Sequence, residues 1–321
     1  MRLRLADRRI WGLHLGLIAV LFLLQFVLPD YHHTNVARIL VLATYAMGYN
    51  LLVGYTGLLS LGHAMFFAAG LYGAGLSIYY FDLHPVLGFL LGSAAALVFA
   101  IAVGLIALRT TGVAFMIVTM MFAQAFYLAT LYFNSITRGD EGLVLAPEAR
   151  RFAFFGLDFD LAEPVTRYNM ALALFVGGLI VCLMLVRSPV GRVMVAIREN
   201  EERTRMLGYN ARDYKLLALS LSGLLSGAAG AAYVLLFAYM GSTFAGIQYS
   251  ILPLLWVLLG GVGTVVGPLI GTLLMFYLID KTSEVMSSYL IVVGAVLVLL
   301  VLFFPKGIAG TLRARYARWM P

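Results

Sequence analysis

Apolar stretches, charged only near their ends, follow one another along almost the whole chain, separated by short polar breaks. They occupy residues 11–28, 36–55, 62–80, 86–108, 112–134, 168–186, 214–240, 249–265, 267–281 and 287–304. A straight crossing of hydrocarbon needs about 20 apolar residues, and most of these stretches approach that length. Within them apolar residues run consecutively instead of alternating with polar ones. That pattern predicts helices, which satisfy their own backbone in lipid, over the strands of a closed barrel. The expected fold is all-α and polytopic, about ten transmembrane helices forming one domain over residues 1–321. Glycines interrupt the 48–80 region repeatedly, making it the least regular part.

Two polar segments are longer than the rest. Segment 135–167 carries Asp140, Glu141, Glu148, Asp158, Asp160 and Glu163, with turns marked by Pro147 and Pro164; it is too short for a separate domain. Segment 187–213 begins with Ser188-Pro189, a helix-start signal. Val193, Ala196 and Ile197 then share one face, with Arg198, Glu199, Glu201 and Glu202 outside it, and Gly208 is a stop. One short amphipathic helix or a pair is expected there.

Composition sharpens the membrane reading. Hydrophobic residues make up 62% of the chain and charged residues 12%, against roughly 25% charged in a soluble domain. The net charge of +7 does not point to nucleic acid, because its distribution fits the topology. With an internal N-terminus and an even number of crossings, sixteen of the 22 Lys and Arg fall on the cytoplasmic side. Both termini are therefore expected in the cytoplasm, with 135–167 outside and 187–213 inside. Arg2, Arg4, Arg8 and Arg9 before 11–28 look like the start of a signal peptide. Pro29-Asp30 stands where a small-residue cleavage site belongs, so a retained first helix is expected. The lone Cys182 predicts packing.

The chemistry is defined largely by what the chain lacks. The cores of the spans hold essentially no Asp, Glu, Lys or Arg, the residues that serve proton relays and ion coupling. Proton-driven transport is disfavoured, whereas a sodium site built from backbone and hydroxyl oxygens stays open. No phosphate-binding G-x-x-x-x-G-K-[ST] loop occurs, and none of the three lysines follows a glycine. The chain needs no cofactor of its own on this reading, and any ATP is bound by another subunit docking on 187–213. Of His14, His32, His33, His63 and His84 only two adjoin, and neighbours on a helix do not face one metal. No metal-ligating or catalytic residue is assigned, since Leu58–Gly62 lacks the first glycine of a G-x-S-x-G elbow.

His63 closes an uncharged, glycine-rich block, Gly54-Tyr55-Thr56-Gly57-Leu58-Leu59-Ser60-Leu61-Gly62-His63. Irregular backbone at membrane depth is tolerated where it is buried in protein or lines a cavity. Two readings stand: a helix-end histidine that fixes packing, or a translocation path that includes Ser60, His63 and Phe66. Glycines four apart, at 88/92, 223/227, 263/267 and 267/271, predict close helix contacts. The fragment Gly57-Leu58-Leu59-Ser60 recurs at 223–226, which is too short to establish an internal repeat.

Four ordered blocks resemble the branched-chain amino acid importer permeases of the LivM type. The first is Asn50 to Gly57, continuing through Ser60-Leu61-Gly62-His63-Ala64 and Phe66-Phe67. The second comprises Gly191-Arg192, Ala196 to Glu201, Leu207 to Asn210 and Tyr214-Lys215-Leu216. The third comprises Ser222-Gly223, Gly227 to Ala231, and Gly260 to Thr264 with Gly267-Pro268; the last is Leu302 to Ile308. The resemblance implies a type II importer fold in a bacterial inner membrane, surrounded by lipid. It implies as partners a homologous permease subunit, two ATP-binding subunits and a periplasmic substrate-binding protein. Segment 187–213 would then be the ATPase-coupling loop, through Arg198, Glu199, Asn200 and Glu201, with Gly208 ending its helix. Asp140 and Glu141 would lie at the periplasmic mouth, where Arg138 stands in place of a usual glycine. Departures after Glu201 make the docking surface more charged than in the family. Related permeases carry urea, short amides or simple sugars, so these remain alternatives, as does a gradient-driven secondary transporter.

Overall fold

The computed structural model describes residues 2–154, 157–285, 289–303 and 306–315. Phe304 and Pro305 of the last resembling block, and the tail cation Arg318, lie outside the described residues. The helices are α1 (Arg2–Leu24), α2 (Asp30–Asn50), α3 (His63–Phe81), α4 (Pro85–Ala107), α5 (Val113–Tyr132) and α6 (Asn134–Thr137). They continue as α7 (Pro164–Arg187), α8 (Pro189–Glu199), α9 (Glu201–Met206), α10 (Ala211–Phe237) and α11 (Ile247–Gly260). The last are α12 (Gly267–Val285), α13 (Tyr289–Phe303) and α14 (Gly307–Arg315). A π-helical turn, Leu51–Tyr55, extends α2.

Each expected apolar stretch contains a helix, and the helices differ in length. Among the described residues six helices are long and apolar enough to span: Asp30–Tyr55, α3, α4, α5, α7 and α10. Arg9–Leu24 and α11 are apolar but shorter. The 249–265 stretch stops early, because Gly261 takes φ 126° where it meets the start of α14. Such a backbone conformation suits glycine alone.

The fold is all-α apart from two short ladders. Strands β1 (Leu143–Val144) and β4 (Tyr239–Met240) pair antiparallel, tying the 135–167 segment to the end of α10. Strands β2 (Arg151–Phe154) and β3 (Leu157–Asp160) form a hairpin with Arg151 opposite Asp160 and Phe152 stacked on Phe159. The alternation in Arg-Phe-Ala-Phe and Leu-Asp-Phe-Asp is the period-2 signal of a half-covered strand.

Helices α2 and α10 are buried on nearly every side, while α4, α5 and α7 keep most of their surface outward. A helix that is apolar all round belongs either in an interior or against lipid, and this bundle uses both placements. Glycines decide the closest approaches. A Cβ at Gly70 would strike the backbone of Gly227, and one at Gly230 would strike Phe67. Gly223 and Gly227 face Ala100 and Ala96 of α4, and Gly271 sits against the Trp256 backbone. Most of the four-apart glycines therefore mark helix contacts, Gly263 being the exception in the loop after α11, against Gly54 and Arg198. The repeated Gly-Leu-Leu-Ser fragments are not equivalent, one being irregular chain and the other part of α10. The body has two ends: a hairpin end carrying β1–β4, and a loop end carrying α8, α9 and α14.

Candidate functional site

Helix α3 begins inside the protein, so its first N–H groups need protein partners. Neighbouring hydroxyls supply them. Ser60 Oγ accepts from the Gly62 amide at 3.2 Å, and Ser250 Oγ of α11 accepts from the Ala64 amide at 2.9 Å. Thr119 Oγ1 of α5 takes the Leu61 amide at 3.3 Å. The Ser60 carbonyl accepts from the Tyr49 hydroxyl at 3.0 Å. Three helices thus hold one break in the chain.

His63 is wholly buried there, with its Nε2 2.7 Å from Ser222 Oγ of α10. Ser222 gives its own proton to the Gly48 carbonyl at 2.6 Å. A hydroxyl has one proton, so His63 must donate from Nε2 in the tautomer whose Nδ1 is bare. That Nδ1 has no partner. Tyr49 and Phe66 meet the imidazole edge to face, with centroids 4.6 and 5.4 Å away. Ser60, His63 and Phe66 are therefore brought together, and all three have no exposed surface.

Next along α2, the Asn50 carboxamide clamps the loop after α11. Its Nδ2 donates to the Thr264 carbonyl and its Oδ1 accepts from the Gly263 amide, both at 2.9 Å. Gly54 lies so close to this clamp that a Cβ would meet Asn50 Oδ1 and the Gly263 amide. The Gly54 carbonyl in turn accepts from Nη1 of Arg198, the next-to-last residue of α8. The stem of Arg198 lies over Gly57, whose φ is 76°. Two motifs 144 residues apart, the 187–213 segment and the glycine-rich block, thus meet through one guanidinium.

The 187–213 segment is a helix pair. Ser188 Oγ caps α8 at the Gly191 amide, and Asn200 Oδ1 caps α9 at the Arg203 amide, at 3.2 and 2.8 Å. Val193 and Ile197 bury their face against Ala211, with Tyr214 alongside. Glu199 and Asn200 are exposed at the elbow. Glu201 bonds Lys215 at 2.5 Å and Arg205 at 2.6 Å. Burial pushes the Glu201 carboxyl up, but Lys215 and Arg205 outweigh it and hold it below the usual range. Gly208, at φ 90°, ends α9 after Met206 and Leu207, which are 86% and 72% exposed.

Asp140 and Glu141 lie apart from this site, exposed at the hairpin end. Asp140 Oδ1 accepts from the Ser242 hydroxyl. Arg138, which stands where the related pattern has glycine, takes φ 55°. Below them an aromatic column runs inward through Phe237, Tyr233, Phe244, Tyr249, Phe67 and Tyr45. Pro253 in α11 has no N–H for the Tyr249 carbonyl, and the Tyr45 hydroxyl fills that place at 2.8 Å.

Sequence reasoning did not single out Asn50, Ser222, Ser250, Thr119, Met206 or Leu207 as site residues. Asn50 carried a usable signal, being a carboxamide in the middle of an otherwise apolar stretch. The hydroxyl partners carried none, since Ser and Thr in apolar helices commonly bond their own preceding turn.

The family described as branched-chain amino acid transport system, permease component, matches residues 34–302. The high-affinity branched-chain amino acid transport system permease protein LivM of Escherichia coli (strain K12) is 28% identical over 285 residues. LivM of Salmonella typhimurium is 29% identical over 285 residues. Each alignment covers 82% of this chain and 66% of the relative, so the chain spans just under two thirds of the LivM length. The ribose import permease protein RbsC of Escherichia coli (strain K12) is 31% identical over 228 residues, 66% of this chain and 67% of RbsC. No solved structure matches significantly. With the matched region running from α2 to α13 and containing the whole His63–Asn50–Arg198 junction, the chain belongs to the branched-chain amino acid transport permease family.

Proposed function

We propose that the chain is the membrane-spanning subunit of an ATP-driven importer of branched-chain or other hydrophobic amino acids. On this reading it forms the translocation path with a homologous permease. Two separate ATP-binding subunits drive it, and a periplasmic binding protein supplies the substrate. The loop end faces the cytoplasm and the hairpin end faces the periplasm. Residues 1–321 act as one permease domain. The similarity to the LivM proteins supports the amino-acid substrate, and the charge distribution supports the orientation.

One observation carries the coupling: Arg198 joins the helix pair to the Gly54 carbonyl and lies over Gly57. Exposed Met206 and Leu207, with Glu199 and Asn200 beside the elbow, form a surface for an ATPase cleft. A push on α8–α9 moves Arg198, and through Gly54 it reaches the Asn50 clamp and the buried start of α3. Ser60, His63 and Phe66 act in this reading as the fixed hinge of the path, setting where α3 begins. Selectivity then resides mainly in the binding protein, since the charged groups of the packed helices, such as Arg38 over the Phe237 ring, lie near helix ends. Asp140 and Glu141 serve at the periplasmic mouth, where Asp140 braces Ser242.

Affinity purification in mild detergent tests the assembly. Recovery of P-loop ATPases and a second permease is expected; a stable complex without an ATPase overturns the reading in favour of a gradient-driven carrier. Coupling is tested in the reconstituted complex with Arg198→Ala and with Glu199 and Gly208 replaced together. Loss of one charge-assisted hydrogen bond predicts uptake lower by roughly tenfold while hydrolysis continues. Unchanged uptake removes Arg198 from the coupling path. Leucine and ribose are compared in the same assay, because the RbsC similarity favours a sugar as the second reading.

A further inference from the structure

The loop end contains a second cluster of cations that the coupling path leaves partly unused. A pocket of about 480 Å³ is lined by Arg198, Lys306 and Arg313, with Thr264, Leu258 and Val262 among its other walls. Arg198 and Arg313 each spend one Nη1 on a backbone carbonyl, of Gly54 and Gly263 respectively, the latter at 3.0 Å. These contacts fix the two guanidiniums without neutralising them. Lys306 is exposed. No carboxylate lines the pocket among the described residues, and the sequence from Val285 onward contains no Asp or Glu. Three cations facing one cavity repel each other unless an anion joins them.

The walls indicate which anion. Leu258 of α11 and Val262 are each more than a third exposed, so an apolar lip adjoins the cations. A free inorganic ion gains nothing from that lip, whereas a phosphate bearing acyl chains matches both surfaces. Basic pockets at the cytoplasmic ends of membrane helices bind anionic headgroups on these grounds. We propose that this pocket holds the headgroup phosphate of an anionic phospholipid, seated on Lys306, Arg313 and the free side of Arg198. Placing it in the cytoplasmic leaflet rests on the orientation proposed above; the chemistry of the pocket does not. The bound headgroup joins α8, the loop after α11, and α14, so it loads the same Arg198 that meets Gly54.

The test is native mass spectrometry of the purified full chain, with its co-purifying subunits, after exchange into phosphatidylglycerol or phosphatidylcholine. One phosphatidylglycerol per chain is expected to survive delipidation, and phosphatidylcholine is not. Lys306→Gln with Arg313→Gln should weaken retention roughly 30-fold, and Lys306→Gln alone, at an exposed position, about fivefold. Equal retention by wild type and both variants, or none by wild type, overturns the proposal. Displacement by millimolar inorganic phosphate overturns the lipid as source and leaves a free-anion site. Retention by the isolated chain but not by the assembled complex overturns it in favour of a carboxylate from a partner subunit. Retention is read without uptake or hydrolysis, so failure of the importer reading and failure of this site give different results.

Discussion

At the hairpin end, aromatic rings stack inward from Phe237 to Tyr45, and the segments expected on that side from the charge pattern hold six Lys and Arg against ten Asp and Glu. At the loop end, single polar side chains reach backbone carbonyls, and the segments expected on that side from the charge pattern hold sixteen Lys and Arg against five Asp and Glu. The first construction rests mainly on ring contacts, with the Arg38 guanidinium over Phe237 and one Tyr45 hydroxyl bond among them, and apolar contact is non-directional and tolerates small shifts. The second depends on a few directed bonds, each made or broken as a unit. A moving partner can therefore act on the loop end through one residue, Arg198. The hairpin end must instead be parted as a surface. The two predictions of largest effect compare these constructions by removing one polar group from each.

The largest effect is expected beneath the loop end. Asn50→Ala leaves the Gly263 amide and the Thr264 carbonyl without their partner in a buried place. The cost is about 3 kcal/mol, read as a lower melting temperature in detergent. Asn50→Asp keeps the bond from Gly263 but turns a buried carboxylate on the Thr264 carbonyl, so it should cost at least as much as Asn50→Ala. If Asn50→Ala melts with the wild type, the clamp carries no stability and the directed-bond account of this end fails.

At the hairpin end Tyr45→Phe retains every ring contact and removes one hydroxyl. The Tyr249 carbonyl, which Pro253 already deprives of a helical partner, then has none. About 1–2 kcal/mol is expected, smaller than at Asn50 because one group is orphaned instead of two. A loss equal to that of Asn50→Ala would show that the aromatic column also depends on directed bonds. Arg138→Gly is the next step down, and it should stabilise. It relieves a left-handed backbone at φ 55° worth about 1–2 kcal/mol, less the greater freedom of glycine in the unfolded chain. A net gain of about 0.5 kcal/mol is expected, and a loss would mean that the Arg138 side chain holds the loop.

The contrast between the ends also explains what could be read from sequence. Helix positions followed from unbroken apolar runs, and α8 and α9 from Ser188-Pro189, the Val193/Ile197 face and Gly208, because these signals are local. The meeting of Arg198 with Gly54 and Gly57 was not legible, since neither motif encodes a distance across 144 residues. His63 was legible as unusual but not as buried against Ser222. A chain position shows that a histidine needs a partner without naming it. The β2–β3 hairpin is short, and the acidity of 135–167 as a whole says nothing of pairing within it.

A further prediction separates the ends by pH. Glu201 is held below the usual carboxylate range, against its burial, by Lys215 at 2.5 Å and by Arg205. A depressed folded value stabilises the protein above the unfolded carboxylate range, near 4, and that contribution disappears as pH falls through the folded value. Asp160 is depressed as well, first by the Ala162 amide and also by Arg151, so acid weakens both ends. Glu201→Gln should remove only the loop-end share, under about 1 kcal/mol because the pair is partly hydrated. The difference in melting temperature between wild type and Glu201→Gln should then be greatest near neutral pH and shrink toward pH 3. Asp160→Asn should show the same shrinkage while leaving the proposed ATPase coupling intact. If Glu201→Gln uncouples hydrolysis at neutral pH and Asp160→Asn does not, the directed bonds of the loop end serve motion as well as stability.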